Sequence, residues 1–275
     1  MSTVNFCNED CFEFMKTMGS YSVSLVLSDP PYNISVNASN HMENTDWDKF
    51  ASDEDYKEFM VRYLKECSRI LKDDGAVIIF FSHSKIKVML EIFKESGLHP
   101  DFKFWKSICR QKGAGAKHKL KSQREDFILL SKEKTFRYNN VDNLFNYDNG
   151  NVTNILNAYT GEVERPEFKL SDVIYNFKMP YYLSKTEKQI HTCQKSILLL
   201  YALIKACSPE ESTVFDGFAG SGSCLIASVL ANRNFVGCEI EKDMYEKAVD
   251  WNWNFNYEAY KKEFFKGQWF GVWKC

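Results

Sequence analysis

The apolar positions of this chain change their period several times. Residues 76–81, Ala-Val-Ile-Ile-Phe-Phe, form an unbroken apolar run, and 23–27 form a shorter one rich in valine and leucine. Runs without polar alternation predict strands buried on both faces, as in a parallel sheet. Between them Tyr56, Phe59, Tyr63, Leu64, Cys67, Ile70 and Leu71 recur at helical spacing, which predicts one apolar helix face. Ser52, followed three residues later by Asp55, resembles a capping box at its start. The same reading predicts strands over 4–7, 102–108 and 127–131, and helices near 11–17 and 85–96. Towards the C-terminus it predicts a helix near 194–207, a strand over 213–215, a glycine-rich turn, a helix over 221–231, a strand over 235–239 and a last helix from 243. Alternating strands and helices imply a largely parallel sheet covered on both faces. Residues 133–185 break the rhythm. They are rich in Asn and Tyr and predict an inserted lobe or extended loops.

Composition narrows the picture. The 275 residues suit one large α/β domain with a smaller inserted lobe. A formal charge of −2 argues against coating nucleic acid by bulk charge but leaves room for a local basic cleft. The nine cysteines are scattered, without a CxxC pair or zinc-like spacing to His. They read as small core residues of a reducing compartment, and no metal is expected. No apolar signal core or membrane-length stretch is present, so a cytoplasmic protein without a membrane span is expected.

Two stretches carry candidate chemistry. Val214-Phe215-Asp216-Gly217-Phe218-Ala219-Gly220-Ser221-Gly222 reads as strand, glycine turn and helix start. Gly220 and Gly222 let the backbone turn tightly and approach a ligand. Glu239 ends the next strand, 19 residues after Gly220, where an acid can accept ribose hydroxyls. Leu225 stands where dinucleotide enzymes place a third glycine, and no Walker lysine follows, so phosphate cradling is unsupported. The second stretch, Asp29-Pro30-Pro31-Tyr32, ends the buried run at 23–27.

The glycine stretch resembles the binding loop of S-adenosylmethionine-dependent methyltransferases, in which Asp216 would favour a cationic sulfonium ligand. Asp29-Pro30-Pro31-Tyr32 resembles the catalytic motif of amino-group DNA methyltransferases. In that chemistry Asp29 and the Pro30 carbonyl accept the two N–H bonds of an exocyclic amine and localise its lone pair. Pro31 with Pro30 fixes the backbone, and Tyr32 offers a face to an extruded base. With the glycine loop near the C-terminus, the order of motifs is similar to the beta class of these enzymes. That resemblance, over 4–132 and 190–250, implies a circularly permuted seven-stranded Rossmann-like methyltransferase sheet with helices on both faces. It divides the chain into a catalytic half (1–132), an inserted target-recognition lobe (133–188) and a cofactor-binding half with the C-terminal helix (189–275). It implies S-adenosylmethionine as cofactor, held by Asp10, Cys11, Asp29, His191, Lys195, Asp216, Gly217, Phe218, Ala219, Gly220, Gly222 and Glu239. Trp47-Asp48 and His191-Thr192-Cys193-Gln194-Lys195-Ser196 are further marks of the family, the latter lacking its prolines at 192 and 196.

Between 110 and 124 lie Arg110, Lys112, Lys117, Lys119, Lys121 and Arg124 without an acid. The run is either a solvated face or a phosphate-neutralising loop. Eight Asn fall between 139 and 157, and in the family that interval holds target recognition. The expected reaction is methyl transfer to adenine N6 of a flipped base in a short sequence of double-stranded DNA. Cytosine N4, an RNA substrate, and a non-catalytic DNA-binding protein that kept the fold are the alternatives. A cognate restriction endonuclease and homodimerisation are compatible with the resemblance.

Overall fold

Each of the two apolar runs forms a central strand. β2 (Val23–Ser28) is buried along its whole length and β3 (Leu71–Phe81) from Gly75 onward. They are parallel neighbours, with Leu25 opposite Ala76 and Ser28 opposite Ile79. The helix between them, α2 (Asp53–Ile70), starts as its residues predict. The Ser52 hydroxyl accepts the Asp55 N–H at 3.1 Å and donates to the Asp55 carboxylate at 2.6 Å. Its buried face is Tyr56, Met60, Tyr63, Leu64, Cys67 and Ile70. β3 begins five residues before the apolar run, because Leu71 already pairs with Val23 before the register slips and resumes at Ala76.

The computed structural model describes residues 2–34, 48–114, 122–134, 136, 139, 173–177, 186–191 and 193–264, with the backbone alone described for 103–114, 122–125, 173–177 and 264. The remaining elements are β1 (Val4–Asn8), α1 (Cys11–Lys16), α3 (Ile86–Ser96), β4 (His99–Ala114), β5 (Ser122–Ser131) and β6 (Val173–Phe177). They continue with α4 (Ile197–Cys207), β7 (Thr213–Asp216), α5 (Ser223–Leu230), β8 (Asn234–Glu239), α6 (Lys242–Trp253) and α7 (Tyr257–Phe264). The single helix expected from 243 is therefore two. The chain breaks after Trp253, and the Asn256 side chain accepts the Ala259 N–H at 2.9 Å to start α7.

The strands form one sheet in the order β1-β8-β7-β2-β3-β5-β4-β6. β5 runs antiparallel to both its neighbours, and every other adjacent pair is parallel. The first seven positions match the expected methyltransferase sheet. β6 is an eighth strand, drawn from the interval read as an inserted lobe or extended loops. Alternation along the strands divides the core between two faces. Leu25, Leu27, Ile78, Phe80, Val214 and Phe235 pack with α4, α5 and the aromatic residues Trp251, Phe255 and Tyr260. Val26, Val77, Ile79, Phe81 and Phe215 pack with α1, α2 and α3. Burying one such side chain stabilises the fold by about 1.5–3 kcal/mol, so both helical layers are held firmly. Among the described residues no helix is long and apolar enough to cross a membrane.

Candidate active site

From β7 the chain crosses through α5 to β8 on one side, and from β2 through α2 to β3 on the other. The carboxyl ends of β7 and β2, parallel neighbours with Val26 opposite Phe215, therefore flank the point where the sheet's winding reverses. Crevices at such points are where open α/β sheets bind ligands. Here the two strands end in Asp216 and in Ser28, which Asp29 follows.

Both oxygens of Asp29 are engaged. The Tyr32 hydroxyl donates to Oδ1, and the Lys195 ammonium lies on Oδ2. Lys195 is 8% exposed. Its Nζ also lies 3.4 Å from the Cys193 carbonyl and 5.1 Å from the Phe80 ring centroid, so the ammonium is largely shielded from water, while the Asp29 side chain stays partly exposed. Pro30 is buried and Pro31 half-buried. Behind the motif the Ser28 hydroxyl meets the Tyr63 hydroxyl at 2.8 Å and accepts the Gly217 N–H at 3.4 Å. This contact joins the Asp29 segment to the glycine turn across the two chain halves.

The glycine turn needs its glycines at two points. Gly220 (φ 49°) and Gly222 (φ 77°) both lie in the left-handed region, and a Cβ on Gly222 would fall 2.3 Å from the Asn252 amide nitrogen. Glu239 holds the turn to β8. Its Oε2 accepts the Gly220 N–H at 2.8 Å and its Oε1 the Glu241 N–H at 2.9 Å. Burial raises the Glu239 carboxyl above the usual range, while those N–H groups pull it back. Asp216 is more strongly shifted. Burial pushes it up to about 7, against the opposing Phe218 N–H bond, and the charge of Asp29 adds to the rise.

The other expected cofactor residues gather at the same edge. Asp10 follows β1 and caps α1, accepting from Phe12 N at 2.9 Å and Glu13 N at 3.2 Å. Cys11 is buried, its Cβ 3.3 Å from where a Cβ on Gly217 would stand. Its thiol is pushed up to about 12, by burial first and by the Asp10 charge second. His191 Nδ1 would lie 3.9 Å from a Cβ on Gly220. Phe218 turns into the core, 4.8 Å from the Tyr63 ring centroid, and Ala219 donates its N–H to the Cys238 carbonyl at 3.0 Å. Trp47 and Thr192 lie outside the described residues.

A family model for N6/N4 methyltransferases, described as DNA methylase, matches residues 23–250. The chain belongs to this DNA methylase family. It is 26% identical to the Type II methyltransferase M1.MboII of Moraxella bovis, over 87% of this chain and 92% of that protein. It is 27% identical to the Type II methyltransferase M.HpaI of Haemophilus parainfluenzae, over 86% and 70%. Among solved structures it resembles the M1.HpyAVI–SAM complex (TM-score 0.62, 20% identity, 92% and 100% coverage). It also resembles the cytosine-N4-specific PvuII DNA methyltransferase (TM-score 0.67, 13% identity, 97% and 93% coverage).

S-adenosylmethionine is the cofactor of this DNA methylase, and the donor set fits it. Two carboxyl groups, Asp29 and Asp216, flank the crevice and suit a ligand that carries positive charge on a sulfonium and an amino group. The left-handed glycines keep side chains away from the same space.

Of the residues expected to meet DNA, Arg110 and Lys112 lie on β4 and Arg124 on β5, where it pairs with Cys109. Their side chains are not described, and Lys117, Lys119 and Lys121 lie outside the described residues. The register still places the hairpin. Phe81 at the carboxyl end of β3 is opposite Asp126 near the start of β5. The facing ends of β4 and β5, Ala114 and Ser122, therefore lie on the side of the sheet where the central parallel strands end, as Asp29 does.

Sequence reasoning missed the Ser28–Tyr63 contact, the bond from the Tyr32 hydroxyl to Asp29, and the ion pair between Asp29 and Lys195. Ser28 was the one visible signal, a polar residue closing an apolar run. The ion pair joins residues 166 positions apart, and no local pattern reports such a contact.

Proposed function

We propose that this DNA methylase transfers the methyl group of S-adenosylmethionine to adenine N6 within a short sequence of duplex DNA, acting on a base flipped out of the helix. The observation that carries this reading is the placement of Asp29 beside Asp216 at the switch point, with Tyr32 and Lys195 on its two oxygens. A leading Asp in the motif, as the resemblance implies, favours adenine over cytosine.

The bound cofactor supplies an electrophilic methyl on a positively charged sulfur. The exocyclic amine of adenine is a poor nucleophile, because its lone pair is delocalised into the ring. Asp29 accepts one of its N–H bonds and the Pro30 carbonyl the other, which turns the lone pair towards the methyl. Tyr32 gives the extruded base a stacking face worth about 1–3 kcal/mol, and its hydroxyl keeps the Asp29 carboxylate oriented. Lys195 balances the Asp29 charge until the amine arrives. Glu239 accepts from the ribose with the lone pairs left over from Gly220 and Glu241, and His191 borders the methionine end.

The basic hairpin leaves the same edge and neutralises phosphates, while residues 133–188 read the flanking bases. The test is incubation with labelled S-adenosylmethionine and unmodified duplex DNA, followed by nucleoside mass spectrometry. Label in N6-methyldeoxyadenosine, absent with Asp29→Ala, is expected. Label in N4-methyldeoxycytidine would overturn the adenine assignment, and label only in RNA would overturn the substrate class.

A further inference from the structure

Immediately after the catalytic motif, three consecutive backbone N–H groups converge on one carboxylate. Asp48 Oδ1 accepts from Tyr32 N at 2.5 Å and from Asn33 N at 2.8 Å, and Oδ2 accepts from Ile34 N at 3.2 Å. Asp48 is 1% exposed. Successive N–H groups curled in this way form a concave anion nest. It requires a left-handed residue, which Asn33 supplies at φ 52°, and Asn is among the few residue types that visit that region readily.

The Asn33 side chain ties the turn down further, accepting from Phe50 N at 3.2 Å and donating to Asp53 at 3.0 Å. Asp53 is the first residue of α2 and pairs with Lys85. The turn that carries Tyr32 is thus anchored to the body of the protein through Asp48 and the start of α2.

The placement has a cost that calls for a reason. Asp48, Asp53 and Asp29 all lie close enough to Tyr56 for their charges to raise its hydroxyl's pKa, after burial, the main cause. A buried acid here adds negative charge beside Tyr56, and an apolar residue would avoid that. Only a carboxylate, with acceptors on both oxygens, can satisfy three converging donors. An amide offers one oxygen and turns a donor towards the third N–H.

We propose that Asp48 is the positioning residue of the catalytic motif. It sets the chain's course through Tyr32, Asn33 and Ile34, and so holds the Tyr32 ring against the target base and its hydroxyl on Asp29. This rests on the proposed methyl transfer for its catalytic consequence, but not for its structural content.

The test joins amide hydrogen exchange with kinetics. In the native protein the amides of Tyr32, Asn33 and Ile34 should be protected, although Ile34 is exposed at the surface. Asp48→Asn should speed their exchange, most at Ile34, where Nδ2 would face the N–H. Its kcat should fall about 10- to 100-fold, the worth of a hydrogen bond to a charged group. Affinity for S-adenosylmethionine should stay within about twofold, and the fluorescence of 2-aminopurine at the target position should drop. Unprotected amides in the native protein would overturn the proposal, a measurement that needs no variant to fold. So would native turnover by Asp48→Asn, or loss of cofactor affinity in step with activity, which marks a general structural defect. If the native protein transfers no methyl group, the functional reading fails, and the exchange pattern still decides the role of Asp48.

Discussion

Asp216 should be a group that the fold holds against its own stability for the sake of the ligand, and replacing it should show this. An unfolded Asp titrates near 3.8, whereas in the native protein burial raises Asp216 to about 7. Between those values the folded protein keeps a proton that the unfolded chain has released. The stability linked to this group is therefore fully present below pH 4 and lost as pH rises through 7. A shift of about three units, at about 1.36 kcal/mol each, is a loss of about 4 kcal/mol by pH 8. Asp216→Asn keeps the shape and the acceptor for the Phe218 N–H at 3.0 Å but has nothing to ionise. Urea unfolding should find the variant more stable than the native protein by up to about 4 kcal/mol at pH 8, and by about 1 kcal/mol at pH 4.5. Glu187 is also raised by burial, but it is common to both proteins and cancels in the difference. Glu239, whose charge adds to the rise at Asp216, is coupled to it and cancels only in part. Native affinity for the cationic cofactor should rise with pH up to about 7, as binding favours the carboxylate. The variant should bind weakly and without that dependence. Equal urea midpoints at pH 8, or a less stable variant, would refute the reasoning.

The other predictions concern the ribose and the DNA. Glu239→Ala should weaken S-adenosylmethionine binding by about 1.5–3 kcal/mol, the range for a charge-assisted hydrogen bond, and calorimetry on the folded variant checks it. Neutralising Lys117, Lys119 and Lys121 together should weaken binding to all DNA sequences alike and reduce the log–log salt slope by about 1 per lost phosphate contact. An unchanged slope with altered sequence preference would give these lysines a different role.

What could be read from the chain, and what could not, follows the range of the interactions. β3 and α2 were legible because an apolar run and a capping serine are local signals, and the glycine turn was legible because left-handed backbone demands glycine within a few residues. The start of β3 was misplaced because Lys72, Asp73 and Asp74 are exposed, and only the pairing of Leu71 with Val23 makes them part of the strand. β6 escaped because Val173–Phe177 is five residues long and lies in a polar, Asn-rich interval, where only the β4 edge makes it a strand. In the site, Glu239 was nominated by its place at the end of the strand after the glycine turn, and Asp29 and Asp216 by the resemblance of their motifs. The partners that orient them were not legible, because Lys195 and Gly217 reach the Asp29 segment from the other end of the chain.

The pairing of β1 with β8 sets a timetable for the protein's synthesis. β1 leaves the ribosome with one hydrogen-bonding edge destined for Asn234–Glu239, each partner 231 positions later in the chain. At about 5–20 residues per second the nascent strand waits about 10 to 45 s for that partner. For most of this interval Asp29 has been translated while Lys195 and the glycine turn have not, so the contacts that join them form only late in synthesis. The polar side chains Asn5 and Asn8 in a strand of only five residues then acquire a second purpose, since short polar strands are poor templates for the wrong neighbour. A transcript truncated before residue 195 would yield a chain that holds Asp29 without the ammonium that lies on its carboxylate.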